Sequence, residues 1–204
     1  MWQELDYKFA QTPGEDNCIM WMDPLHVRCI YELANVCQWD RVMEIGSWDG
    51  FSISAVVQHN RDGGNTRILC VDTVIRNNLI EVLRLNTLGW SVAQCSGIYA
   101  LSQVGAMDCC IVDGDHEESN VCGELDLLLM KGWPTIIAHD VGESRGCAGP
   151  RKMRRHMEGL KDWTVLVDDK ERPHMATNRG LMIATRLPRV AEAARAIFER
   201  AGRE

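Results

Sequence analysis

The chain has 204 residues, 46% of them hydrophobic, with 22 basic against 29 acidic side chains and a net charge of −7. That length fits one domain with a substantial core, and no run approaches the roughly 18 apolar residues that a membrane span needs. The acidic balance argues against nucleic acid as the main partner, because phosphate contacts need clustered Lys and Arg.

Strand-like and helix-like segments then alternate along the chain. Asp23-Pro24 is an N-cap followed by proline at the first helical position, and Val27, Ile30, Tyr31 and Ala34 recur at helical spacing. Arg41 to Ile45 reads as a strand ending in a glycine turn, Phe51 to His59 as a helix, and Asp62-Gly63-Gly64-Asn65 as a turn. Arg67 to Val71 is a second strand, closed by Asp72; a helix is expected over Asn77 to Leu88, with Gly89 past its end. Ser91 to Gln94 and Asp108 to Val112 are the third and fourth strands. Glu117 to Met130 is an amphipathic helix with Val121, Leu125, Leu128 and Leu129 on one face, and Lys131-Gly132 ends it. Thr135 to Ala138 is a fifth strand, closed by His139-Asp140. Residues 151–160 read as helix, Trp163 to Val167 and Gly180 to Thr185 as two late strands, and Val190, Ala194, Ile197 and Phe198 mark a last helix.

This alternation, with near-continuous apolar strands, implies an α/β, doubly wound, mostly parallel seven-stranded sheet covered on both faces. The two late strands have no clear helix between them, which predicts an antiparallel hairpin at one edge. The expected organisation is an N-terminal helical segment over 1–40, a binding and catalytic core over 41–187, and a C-terminal helix of the same domain over 188–204. In such sheets ligands bind beyond the carboxyl ends of the strands. The residues there are Glu44 to Gly50, Asp72, Ser96-Gly97, Asp113 to His116, and His139-Asp140.

The turn after the first strand invites a dinucleotide reading, and its spacing opposes it. In G-x-G-x-x-G the second glycine lets the backbone approach a pyrophosphate. Counted from Gly46 that position is Trp48, whose indole blocks such an approach. What remains is E-x-G-x-x-x-G: Gly46 permits a tight turn and Gly50 close packing at the helix start. A ligand without a pyrophosphate suits this turn better. Asp72 is placed to bind both hydroxyls of a ribose. Glu44, half-buried by position, needs a donor partner, and the amino group of an amino-acid-like ligand would serve.

Val42-Met43-Glu44-Ile45-Gly46-Ser47-Trp48-Asp49-Gly50 resembles the first motif of the class I S-adenosylmethionine (SAM)-dependent methyltransferases, and Asp72 is similar to their ribose-binding acidic residue. The resemblance spans about residues 40 to 185 and implies the Rossmann-like sheet of that fold. It also implies SAM as cofactor, with Glu44, Gly46, Ser47, Trp48, Gly50, Asp72 and Asp113 around it and Ser96 and Gly97 near the adenine.

Ile111-Val112-Asp113-Gly114-Asp115-His116 faces the same crevice as Gly46. Methyl transfer is an in-line displacement in which a hydroxyl acceptor must be aligned and lose its proton. His116 is the candidate base, since its unperturbed pKa lies near operating pH. Asp113 is a candidate to bind the cofactor's amino group, help hold a metal, or orient a base. Asp113, Asp140 and His139 form a candidate divalent-cation site; oxygen ligands favour magnesium or calcium, and a histidine shifts preference toward transition metals. These two segments resemble the small-molecule O-methyltransferase group that includes macrocin O-methyltransferase and the cephalosporin-hydroxylase-like proteins (methyltransferase family 24 type). There an aspartate and an acidic pair hold a divalent metal, and a histidine three residues after that aspartate, here His116, is the proposed base. This chain departs at the pair, which reads His139-Asp140.

Val141 to Pro150 is the most glycine-rich stretch, readable as a flexible acceptor-binding loop or as a surface connection. Arg151-Lys152-Met153-Arg154-Arg155 reads as a solvated helix face, or more sharply as a site for an anionic acceptor group. The nine cysteines form no CxxC pair, which argues against structural zinc. Cys70, Cys109 and Cys110 lie in apolar runs as buried thiols. His26, His59, His156 and His174 fall in no pattern.

The expectation is a cytoplasmic SAM-dependent methyltransferase acting on a small-molecule hydroxyl, with metal assistance and homo-oligomer formation left open, and with neither nucleic acid nor membrane as partner. The competing expectations are a SAM-fold protein with a non-methylating, hydroxylase-like role and a non-catalytic SAM-binding module.

Overall fold

The computed structural model describes residues 22–143, 146–170 and 179–201. Residues 1–21 of the expected N-terminal segment, Ser144 and Arg145 of the glycine-rich stretch, and His174 lie outside the described residues.

Helix α1 (Pro24–Cys37) begins as its sequence dictates. The Asp23 side chain accepts a hydrogen bond from the Leu25 amide (2.8 Å), and Pro24, which has no N–H to satisfy, occupies the first turn. Its buried residues His26, Cys29, Ile30, Leu33, Ala34 and Cys37 follow the 3.6-residue period.

The strands are β1 (Arg41–Ile45), β2 (Arg67–Asp72), β3 (Trp90–Gln94), β4 (Cys109–Val112), β5 (Thr135–His139), β6 (Thr164–Asp168) and β7 (Leu181–Thr185). They form one seven-stranded sheet in the order β3-β2-β1-β4-β5-β7-β6. β3, β2, β1, β4 and β5 pair in parallel, while β7 runs antiparallel to both β5 and β6. This is the expected doubly wound sheet with an antiparallel edge.

Successive strand residues feed two cores, as the period of two requires. Val42, Ile111 and Ile137 point into the core that holds α1, α2 (Phe51–Arg61), α3 (Asn77–Arg84) and α7 (Pro188–Ala201). Met43, Cys110, Val112 and Ile136 point into the opposite core, with α4 (Gly97–Gln103), α5 (Glu118–Met130) and α6 (Ala148–Glu158). Cys70, Cys109 and Cys110 are free and fully buried, as expected of thiols acting as small hydrophobes.

Three elements differ from expectation. Helix α3 stops at Arg84 rather than Leu88, because Asn86 is drawn into a side-chain network: it accepts from Asn60 Nδ2 (2.8 Å) and donates to the Leu88 carbonyl (3.1 Å). Helix α4 was not anticipated; the Ser96 hydroxyl caps it by accepting from the Tyr99 amide (3.3 Å). Helix α6 starts at Ala148, three residues early, so Gly149 and Pro150 form its first turn. No described helix is long and apolar enough to cross a membrane.

Candidate active site

The carboxyl ends of β1, β2, β4 and β5 open onto one cavity of about 970 Å3. That lies near the top of the roughly 300–1,000 Å3 usual for small-molecule sites. The β1 turn forms its floor. Gly46 has φ 79°, and a Cβ there would sit 2.2 Å from the Gly114 Cα, so only glycine lets the β1 and β4 tips touch. Gly50 (φ 88°) caps α2, and Trp48 holds φ 41° with its indole half-exposed at the cavity wall, stacked beneath the Arg76 guanidinium at 3.4 Å. The Asp72 carboxylate accepts from the Trp48 amide (2.8 Å) and the Val74 amide (3.0 Å), which fixes its orientation in the wall.

Glu44 sits behind this turn. It is fully buried, accepts a hydrogen bond from the Ser52 hydroxyl, and is not among the residues lining the cavity. The Ser52 hydroxyl is thus one donor to this buried carboxylate. Burial pushes the Glu44 carboxyl up to about 7, with the Asp113 and Asp72 charges adding to the rise. Ser47, Ser96 and Gly97 line the cavity.

Asp113, His139 and Asp140 do converge, each offering a ligand atom within 4.8 Å of the others. His139 Nδ1 lies 3.3 Å from Asp113 Oδ1 and 3.3 Å from Asp140 Oδ1. Burial alone would lower the His139 pKa; the two carboxylates outweigh it and hold it above the ordinary 6.5. Asp140, 2% exposed, also faces His116 Nε2 (3.0 Å) and the Arg179 guanidinium (3.1 Å). Against the cost of its burial, these partners hold its carboxyl below the usual range. His116 lines the cavity, and the Asp140 contact raises its pKa against a smaller opposing effect of burial.

Sequence reasoning missed several of these groups. His26 on α1 is fully buried, with Nε2 3.3 Å from Asp168 Oδ2 at the end of β6 and its ring edge-on to His139 at 5.6 Å. Asp23 in the cap position and a histidine on the apolar face of α1 were the available signals. Arg179, just before β7, carries no local pattern that points to Asp140. Asp115 lines the cavity, and it also organises the start of α5, accepting from the Glu117 amide (2.9 Å) and Asn120 (2.6 Å).

The glycine-rich stretch is not a loose loop among its described residues. Val141 is fully buried, Gly142 donates to the Arg179 carbonyl (2.6 Å), and Cys147 donates to the Asp140 carbonyl (2.8 Å). Gly149 lets α6 approach the His116 carbonyl, which a Cβ would meet at 2.6 Å. The basic run on α6 is engaged in ion pairs: Lys152 with Glu118, Arg154 with Glu158 and Asp169, and Arg155 with Glu143. That favours the helix-face reading over an anion site.

The match to known families falls on this same stretch, since residues 43–141 match the family model described as a methyltransferase domain. This part of the chain is similar to a methyltransferase domain. Its fold is shared with solved methyltransferases. An O-methyltransferase from Bacillus cereus with S-adenosylhomocysteine (SAH) bound superposes with a TM-score of 0.62 at 14% identity, covering 80% of this chain and 81% of that one. The O-methyltransferase TomG from Streptomyces achromogenes, involved in tomaymycin synthesis and bound to SAM, gives 0.60 at 16%, covering 80% of each chain. An rRNA methylase from Streptococcus thermophilus gives 0.59 at 11%, covering 82% of this chain and 99% of that one. A search of curated proteins finds no match by sequence. The matched segment of the methyltransferase domain runs from the β1 turn to the His139-Asp140 pair.

Proposed function

We propose that this protein transfers the methyl group of SAM to a hydroxyl of a small molecule, with His116 as the general base. The observation that carries the reading is the Asp140–His116 contact at 3.0 Å, in the wall of the same cavity as the Gly46 turn and Asp72.

The cavity suits SAM chemically. Asp72, Asp113, Asp115, Glu117 and Asp140 give its wall a negative bias, which favours a ligand carrying sulfonium and ammonium charges. Apolar groups such as Ile45, Val71 and Ile98 supply surface for a base. When bound, SAM supplies an electrophilic methyl group. Asp140 Oδ2 lies 3.0 Å from His116 Nε2, and in this reading the imidazole accepts the acceptor's proton. The new O–C bond forms as the S–C bond breaks, and the proton resides on His116. The imidazolium that results is stabilised by Asp140.

The Asp113, His139 and Asp140 set does not fit magnesium. That ion needs about six ligands, nearly all oxygens, in octahedral order. Here His139 Nδ1 lies 3.3 Å from a carboxylate oxygen of each of Asp113 and Asp140, so the ring occupies the space between the two carboxylates. Arg179 adds a positive charge on Asp140. No step is therefore assigned to a metal.

The net charge of −7 and the ion-paired α6 face favour a small acceptor over RNA. Calorimetry with SAH, followed by labelled-methyl transfer to pools of sugars, phenols and other polyhydroxylated metabolites, tests the reading. SAH binding with transfer that His116→Ala abolishes supports it. Absence of SAH binding sinks it, and binding without transfer to any pool leaves a SAM-binding module.

A further inference from the structure

Glu124 is a buried acidic side chain that the transfer chemistry does not use. It projects from α5 into the cavity wall, is 3% exposed, and its Oε2 has no hydrogen-bond partner. An unpaired buried carboxyl oxygen is costly, and a site that retains one calls for an explanation.

Its surroundings narrow the explanation. A Cβ on Gly97 would lie 2.1 Å from Glu124 Oε1 and 2.6 Å from an Ile45 methyl, so the glycine at the start of α4 makes room for this carboxyl. Nearby polar groups are committed elsewhere: Ser96 caps α4, and Asp115 holds Glu117 and Asn120. The adjoining cavity wall is Ile45, Val71, Cys95 and Ile98. An apolar wall bearing a carboxyl whose Oε2 has no partner suits a planar heterocycle with an amino group beside a ring nitrogen. The carbonyl oxygen accepts from the amine and, when protonated, the hydroxyl donates to the ring nitrogen. Burial, helped by Asp115, pushes the Glu124 carboxyl up to about 7, so that the protonated form is accessible at neutral pH.

We propose that Glu124 is the residue that reads the amino edge of the cofactor's base, and so sets the site's selectivity for an adenine nucleoside. The inference rests on the SAM reading above and adds a specificity determinant to it.

The test is calorimetry with three probes: SAH, its analogue whose base lacks the 6-amino group, and its 1-deaza analogue, in which the ring nitrogen is CH. Wild-type protein is expected to bind SAH at least tenfold more tightly than either analogue. Glu124→Leu is expected to weaken SAH binding by a similar factor and leave the analogues unchanged, so the ratios collapse to near one. Glu124→Asp, which retracts the carboxyl while keeping the site polar, is expected to do the same if the leucine variant fails to fold. Glu124→Gln keeps an acceptor and a donor and is expected to retain the discrimination. Ratios that persist in the Leu or Asp variant assign Glu124 a packing role and overturn the proposal, as does equal wild-type binding of all three probes. No SAH binding by wild-type protein overturns the SAM reading itself, and this inference with it.

Discussion

His116 Nε2 lies 3.0 Å from Asp140 Oδ2, and Asp140 is 2% exposed while His116 opens to the cavity. A buried anion behind a solvent-facing imidazole fixes the ring's orientation and raises its proton affinity. The midpoint between the acid and base forms of His116 is therefore raised from the ordinary 6.5.

From this pairing follows a pH profile. The acid limb of kcat/KM is expected above pH 6.5, because protonated His116 cannot accept the acceptor's proton. Asp140→Asn removes the charge that raises the pKa, so the limb moves to lower pH while the plateau falls. His116→Ala is expected to lower kcat by about 100-fold or more with SAH affinity retained. An unchanged limb in Asp140→Asn contradicts the dyad.

His139 bridges Asp113 and Asp140 at 3.3 Å on each side. Activity is therefore expected to be unchanged by EDTA or added magnesium. His139→Glu replaces the ring between the two carboxylates with a further oxygen ligand, and is expected to gain magnesium binding measurable by calorimetry. Loss of wild-type activity on chelation, restored by magnesium, refutes this arrangement.

Gly46→Ala forces a Cβ to within 2.2 Å of Gly114 at φ 79°. A strained φ alone costs about 1–3 kcal/mol, and the backbone clash adds to it. A fall in Tm of about 10 °C is expected, with SAH binding lost because the β1 and β4 tips are pushed apart. Thermal melting and calorimetry check both.

Stability should fall as pH rises from about 5 to 8. The Glu44 carboxyl goes from 4.5 to about 7 on folding, so the folded state binds more protons than the unfolded state across that window. Glu124 behaves alike, and the raised pKa values of His116 and His139 act in the same direction. His59, whose pKa burial lowers, opposes them in part. Full ionisation of Glu44 costs on the order of 3 kcal/mol. Glu44→Gln is expected to raise Tm at pH 8 and leave it nearly unchanged at pH 5. A wild-type Tm that climbs between those values contradicts this account.

The sheet was legible because its signals are local. Apolar strands end in chemically marked turns, and Asp23-Pro24 or Gly46 dictates backbone geometry within a few residues. The convergence of Asp113, His139 and Asp140 followed from topology, since the tips of adjacent parallel strands meet. What was not legible depends on contacts between distant segments. Asn86 ends α3 through Asn60. Glu44 needed a donor, and the Ser52 hydroxyl on α2, eight residues on, supplies one. His26 meets Asp168 across 142 positions of sequence. Gly149 suggested looseness, whereas it permits close packing against His116.

The antiparallel edge has a consequence for which stretches of the chain support the cavity. Asp72 and the Gly46 turn belong to the N-terminal strands, whereas Asp140 is held by Arg179 at the entry to β7, and His26 joins the end of β6 to His139. The C-terminal segments thus support the Asp140 and His139 side of the cavity, away from the strand that carries the Gly46 turn. Changes in the C-terminal hairpin would then act on Asp140 and His139 and leave the Gly46 turn untouched.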